Sequence, residues 1–347
     1  MEEIMDFAFK VVNELGAAMA APHIYIGDQL GLFKALARSA PLTVDELAAK
    51  TGLQERYLRE WAAAMAASGY LDYDPATRTF TLPPAKAAVL ADDDSPVFVG
   101  GFAQMLPDHY KVIPGIMRAF REGGGVPYSD FTDDTFIGTE RFFRPGYVNF
   151  LVSTWIPAIG IQDKLTRGAK VADVGCGRGQ AICTMAKAFQ NSQFIGYDNH
   201  APGVAAARTN AEKAGVTNAT FEVRGSTDLP KTAEFDMVCT LDALHDMVDP
   251  HGAAKSIFGA LNPGGVWFIV EPNMSDKLEE NLNPVGRVFY SVSMLQCMTA
   301  SLAQGGAGYG AGMGPANIRK VAEEAGFKKF EQLPIANPFN KYFLATK

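Results

Sequence analysis

A chain of 347 residues with 48% hydrophobic and 20% charged residues is longer than one typical domain, so two buried cores are expected and the disordered class is excluded. No run of about 18 apolar residues reads as a membrane span, and the acidic start Met1-Glu2-Glu3 lacks the basic opening of a secretory signal. A cytoplasmic chain with no membrane partner is expected, and the formal charge of −7 argues against nucleic acid, whose binders need lysine and arginine on phosphate.

From Ile4 to about Ala20 apolar residues recur at helical spacing, and Pro22 interrupts them before a second apolar stretch, His23 to Leu36, so two helices are expected to open the chain. Thr43 with Glu46 three residues on forms a capping box for a short helix from Val44 to Lys50, which Gly52 ends. A third helix over 54–68 is expected to turn Tyr57, Leu58, Trp61, Met65 and Ala66 inward. Runs 70–73 and 79–82, joined across Asp74-Pro75-Ala76-Thr77, read as a hairpin. That order describes a winged helix over 1–95, a shape that often reads DNA. The segment holds eight lysines and arginines against fourteen acids, and Glu55 and Glu60 alternate with Arg56 and Arg59 on the would-be recognition helix. A dimerisation module fits such a surface better, and a homodimer is expected.

Residues 96–162 are rich in aromatics and broken by Pro107, Pro114, Pro127, Pro145 and Pro157, which predicts short helices forming a linker and substrate lid, with a flexible loop over 123–127. From Lys170 strands and helices alternate, the pattern of a parallel sheet covered on both faces. Strands are expected at 170–174, 194–198, 220–224, 235–240 and 266–271, with helices near 179–190, 201–214 and 251–261. Two further strands, about 328–334 and 341–346, close the chain as an antiparallel edge. An insertion, 273–316, precedes them and carries the glycine-rich stretch Gly305-Gly306-Ala307-Gly308.

Val171-Ala172-Asp173-Val174-Gly175-Cys176-Gly177-Arg178-Gly179 is a buried strand running into a glycine loop and a helix, where backbone N–H groups and the helix dipole meet a ligand. Gln180 stands where a dinucleotide fingerprint needs another small residue, so the loop suits a ligand with an amino acid end in place of a pyrophosphate. Asp198, closing the second strand, offers two acceptor oxygens to a ribose, with Asn199 beside it. The polar turn Ser226-Thr227-Asp228 follows the third strand within reach of an adenine, Asp228 being the better placed of the three.

Asp173-x-Gly175-x-Gly177-x-Gly179, Asp198 and Phe235-Asp236-Met237-Val238 resemble the glycine motif, ribose acid and fourth strand of class I methyltransferases. With the N-terminal winged helix and Leu244-His245-Asp246-Met247-Val248-Asp249-Pro250, the whole chain resembles bacterial winged-helix methyltransferases related to the small-molecule O-methyltransferases. The resemblance implies an α/β fold, a Rossmann-like methyltransferase sheet over 163–347 that is mostly parallel with an antiparallel edge strand, preceded by an α-rich winged-helix domain. It implies S-adenosyl-L-methionine as cofactor, held by Asp173, Gly175, Cys176, Gly177, Gly179, Asp198, Asn199, Ser226, Thr227, Asp228, Leu241 and Asp242. It also implies His245, followed by Asp246, as the general base that removes a hydroxyl or thiol proton. Methyl transfer from an activated sulfonium asks mainly for an in-line approach in a dry pocket. Candidate walls are His109, Tyr110, Tyr147, Trp155, Tyr290, Met294, Cys297 and Met298, an apolar, methionine-rich set with no carboxylate cluster suited to an amine. Aromatics and methionines at such spacing also serve as ordinary core.

The four cysteines, Cys176, Cys183, Cys239 and Cys297, form no CxxC pair and have no histidine at ligand spacing, so reduced buried thiols and no metal are expected. Transfer of a methyl group to a small-molecule hydroxyl or thiol is therefore the leading reading. The alternative is a methyltransferase-like transcriptional regulator whose winged helix binds DNA; it calls for a basic face on 54–68 that the sequence lacks. A nicotinamide-dependent dehydrogenase is disfavoured by Gln180 and by the lack of a well-placed Tyr-x-x-x-Lys pair.

Overall fold

The computed structural model describes residues 1–347 and divides by contacts into two compact units that interleave along the chain, Met1–Asp108 with Asp133–Pro145, and His109–Thr132 with Gly146–Lys347. In the first unit the helices Glu2–Gln29, Leu32–Ala37, Val44–Thr51 and Glu55–Ala67 precede a two-stranded hairpin, β1 (Asp72–Asp74) and β2 (Thr79–Thr81). Both halves of the capping box form: Thr43 N donates to Glu46 Oε2 at 2.7 Å, and Glu46 N donates to Thr43 Oγ1 at 3.3 Å. Leu32, Phe33, Leu36, Leu47, Leu58, Trp61 and Met65 make the core.

Two local expectations fail here. Pro22 sits inside one continuous helix of 28 residues instead of separating two. A proline costs the helix one hydrogen bond and a steric clash, and here packing supplies the compensation, since Trp61 Nε1 donates to the His23 carbonyl at 2.9 Å and Ala20 is buried in the core. Leu58, Trp61 and Met65 are buried and Ala66 packs against them as expected, but Tyr57 is 80% exposed and Ala62 takes its place in the inward stripe.

In the second unit seven strands form one sheet: β3 (Lys170–Val174), β4 (Gln193–Asp198), β5 (Ala219–Val223), β6 (Phe235–Leu241), β7 (Leu261–Pro272), β8 (Lys329–Gln332) and β9 (Asn340–Thr346). Their order is β5-β4-β3-β6-β7-β9-β8, parallel through β7 and antiparallel at β9 and β8. Side chains alternate strictly between the faces. Val171, Met237, Cys239 and Phe268 join a core with helices Gln180–Ala188 and Ala201–Ala214, while Ala172, Val238, Trp267 and Ile269 join another with helices Pro250–Ala260 and Gly314–Ala325. Burial on both faces is why these strands read as nearly unbroken apolar runs. The helix Gly314–Ala325, which buries Ile318, Val321 and Ala322, was not anticipated from the sequence. No helix is long and apolar enough to cross a membrane.

Candidate active site at the carboxyl edge of the sheet

Strand order reverses between β3 and β6, and a crevice outside the carboxyl ends of the strands at such a point is where open α/β sheets take ligands. The glycine loop leaves β3 there. Gly175 N and Cys176 N both donate to the Tyr197 carbonyl, at 2.8 and 3.1 Å, folding the loop against the end of β4. Gly175 has φ +83° and approaches the turn after β6 so closely that a Cβ would stand 2.6 Å from that of Ala243; only glycine meets both demands. Asp198 then locks the loop, its Oδ2 accepting from Gly177 N and its Oδ1 from His200 N, each at 2.8 Å. Each oxygen keeps a second lone pair for a ligand hydroxyl.

Beside this loop are carboxylate oxygens that are buried yet accept no directed hydrogen bond: Asp173 Oδ1, Asp242 Oδ1 and, further along, Asp246 Oδ1. Burial, with the Asp198 charge adding to it, pushes the Asp173 carboxyl up to about 7. Asp242 is raised well above the usual carboxylate range by burial and then by Glu271, although Asn340 Nδ2 donates to its Oδ2 at 2.6 Å. Asp242 also adopts φ +53°, unusual outside glycine and of a kind that clusters at ligand sites. Such oxygens are costly unless a donor or cation meets them. S-adenosylmethionine carries a sulfonium and an ammonium, so the donor set fits it.

Past β6 the chain makes a tight 3-10 turn, Leu244–Asp246. Glu271, 1% exposed at the end of β7, grips that turn with both oxygens: Leu244 N donates to Oε1 at 3.0 Å, and His245 Nδ1 lies 2.6 Å from Oε2. On the other side of the ring, His245 Nε2 is 3.0 Å from Asp246 Oδ1. Tyr128 donates to Asp246 Oδ2 at 2.7 Å, and Cys297 Sγ lies within 4.8 Å of donor atoms of both His245 and Asp246. Burial alone would lower the imidazole, but Glu271 and Asp246 outweigh it and hold the ring well above its ordinary value. A carboxylate beside each nitrogen favours the charged form of the ring. The insertion straps the turn from outside, with Gly310 N on the His245 carbonyl, Ser301 Oγ on that of Met247 and Ala307 N on that of Val248.

The structure brings Asp173, Gly175, Cys176, Gly177, Gly179 and Asp198 together as one loop and strand end, with Leu241 closing the adjacent strand and Asp242 just past it. Asn199, Thr227 and Asp228 are exposed and Ser226 is half-buried. Of the pocket candidates, Cys297 reaches His245, and His109 Nε2 meets Gln296 Oε1 at 2.9 Å in a buried pair. Tyr147 is raised by burial and by Asp242 and Asp173, which puts it near the loop. Trp155 packs in the core against Tyr147, Phe268 and Tyr342. Tyr110, Tyr290 and Met294 are largely exposed and Met298 is half-buried. The expectation of a site without clustered carboxylates is corrected: Asp242, Asp246 and Glu271 surround His245, because β6 and β7 run in parallel register and end together. Glu271 and Tyr128 were missed. An acid closing the apolar run Val266–Val270 was a usable signal for the first; nothing local marks the second.

Residues 165–335 match the family model of a methyltransferase domain, and residues 18–92 that of an Rv2258c-like winged HTH domain. A sterol 24-C-methyltransferase of Aspergillus fumigatus is 33% identical over 125 residues, 35% of this chain and 33% of that protein. The chain thus spans about a third of the length of that relative. A ubiquinone biosynthesis O-methyltransferase of Psychrobacter arcticus is 28% identical over 186 residues, 51% of this chain and 67% of that protein. Among solved structures, human N-acetylserotonin methyltransferase superposes with a TM-score of 0.72 at 18% identity, covering 98% of this chain and 97% of that one, a likeness of fold alone.

Proposed function

From the premise that the chain is an S-adenosylmethionine-dependent methyltransferase with an N-terminal winged-helix domain, we propose that it methylates a hydroxyl of a small molecule, a small thiol being the nearest variant, with His245 as base. The observation that carries this reading is the bidentate hold of Glu271 on the turn that presents His245. The glycine loop 175–179 with Asp173, Asp198, Leu241 and Asp242, and Asn199 and the 226–228 turn at the rim, would hold the cofactor. When bound, the cofactor supplies an activated methyl group on its sulfonium.

Glu271 fixes the ring with a proton on Nδ1 and leaves Nε2 as the working nitrogen. Nε2 takes the hydroxyl proton as the unprotonated nitrogen of a neutral ring, any proton on it having passed to solvent before the acceptor binds. Burial of His245 at 4% exposure keeps water from competing for that nitrogen. In addition to the lid expected over 96–162, the insertion 273–316 is read as a second lid segment, a reading supported by its hold on the 245–248 turn.

His245→Ala should leave S-adenosylhomocysteine affinity nearly unchanged and lower turnover by about 10² to 10⁴-fold, more for an alcohol or phenol than for a thiol. Labelled S-adenosylmethionine incubated with a metabolite extract identifies the acceptor for this assay. A fall of less than about threefold on every acceptor sinks the base role and leaves orientation as the source of catalysis.

The first unit is read as a dimerisation module. Ile4, Val12, Leu15 and Met19 make one stripe on the first helix and are 61–71% exposed, an apolar face for a second copy to cover. On the 55–67 helix Arg56 pairs with Glu60 at 2.6 Å and Arg59 with Glu55 at 2.5 Å, which leaves little free positive charge for DNA and supports the enzyme over the regulator. A cytoplasmic location belongs to the same reading and is supported by four free, buried cysteines.

A further inference from the structure

We propose that His245 Nε2, Asp246 Oδ1 and Cys297 Sγ form a binding site for one zinc ion. The three donor atoms lie within 4.8 Å of one another, although Cys297 is far from the other two in sequence. Imidazole, carboxylate and thiolate are the donor types zinc takes, and the sulfur excludes a preference for magnesium or calcium. Tetrahedral zinc with bonds of about 2.0 to 2.3 Å asks for donors roughly 3.3 to 3.8 Å apart. Nε2 and Oδ1 already stand 3.0 Å apart, so the adjustment is small.

The surroundings are those of a built site. A metal-bound histidine ordinarily gives its other nitrogen to a carboxylate, and a ligating carboxylate is itself held by a donor. Both partners are in place: Glu271 sits on His245 Nδ1 at 2.6 Å, and Tyr128 donates to Asp246 Oδ2 at 2.7 Å. Asp246 Oδ1 is buried and accepts no directed hydrogen bond, and Cys297 and His245 are 6% and 4% exposed. The ligands come from two pieces of the second unit, the 3-10 turn Leu244–Asp246 and the wide π turn Ser293–Cys297, and wide turns of that kind recur at functional sites.

On binding, zinc replaces the proton on Nε2 and the thiol proton of Cys297, and both leave to solvent; no redox change is involved. Three protein ligands leave a fourth position for water or another small donor. One lone pair on Nε2 serves either the ion or a substrate proton, so metal and base uses of His245 exclude each other. Binding itself does not rest on the base role.

The test is to strip the full chain of metal and titrate it with Co²⁺, then with Zn²⁺. Expected are one equivalent bound, a thiolate-to-cobalt charge-transfer band with four-coordinate d–d intensity, and displacement of both by zinc. Cys297→Ser should abolish the charge-transfer band, and Glu271→Gln should weaken the metal by about 10 to 100-fold as an orienting partner. S-adenosylhomocysteine titration of each variant reports that it is folded. No band in the folded wild type, or a band that persists in folded Cys297→Ser, overturns the site.

Discussion

Asp173 is 2% exposed, one oxygen accepts nothing, and its carboxyl is pushed up to about 7. An unfolded aspartate titrates near 3.9, so the folded state binds the proton more tightly. The contribution of that proton to stability is full below about pH 4 and is lost as pH rises through about 7. Asp173→Asn should therefore raise the melting temperature of the cofactor-free protein at pH 8, with the advantage fading toward pH 5, while weakening S-adenosylhomocysteine by about 1 to 3 kcal/mol. Thermal melts across that range with calorimetric titration check both halves; a variant that melts lower at pH 8 contradicts the burial argument. A residue that destabilises the empty fold and supports the loaded one is the signature of a site kept for binding. Glu271 has a different role. It satisfies a backbone N–H and a ring nitrogen at once, so Glu271→Gln should lower turnover with little change in cofactor affinity, read as kcat against Kd.

At the scale of elements, agreement was best where the signal was local and physical. The capping box of the 44–51 helix needs only Thr43 and Glu46, and it forms as written. Thr43→Ala should cost about 1 kcal/mol, seen as a lower denaturation midpoint with an unchanged slope. Pro22 shows the opposite case, in which burial of the same helix end overrides a local breaker. On the outer stripe of that helix, Val12→Glu with Leu15→Glu should convert a dimer to monomer by light scattering without changing helical content by circular dichroism. A variant that keeps the wild-type mass would show that this stripe is not what joins two copies.

At the scale of the molecule, the reversal of strand order at β3 and β6 gathers Asp173, Asp198, Asp242 and Glu271 at the carboxyl edge of one sheet. We propose that this edge takes an adenosine with a cationic end; it lacks the third small residue of a pyrophosphate cradle, Gln180 standing in its place. S-adenosylhomocysteine should therefore raise the melting temperature while NAD does not, and the reverse result would count against the reading of the whole crevice.

The sequence by itself determined the parallel strands, their flanking helices, the glycine loop and the acid that closes β4, because each depends on period, turn chemistry or a short motif within one element. The position of His245 and Asp246 just past β6 was legible for the same reason. What only the tertiary structure decided are contacts between elements distant in sequence: Glu271 on His245, Tyr128 on Asp246 and Cys297 beside both. No periodicity reports such a meeting, since it is set by strand register and by how the 273–316 segment folds back over the turn. The charge state of the site was hidden with it, because a carboxylate that titrates near its ordinary value in water is moved only by burial and by neighbours that the fold supplies.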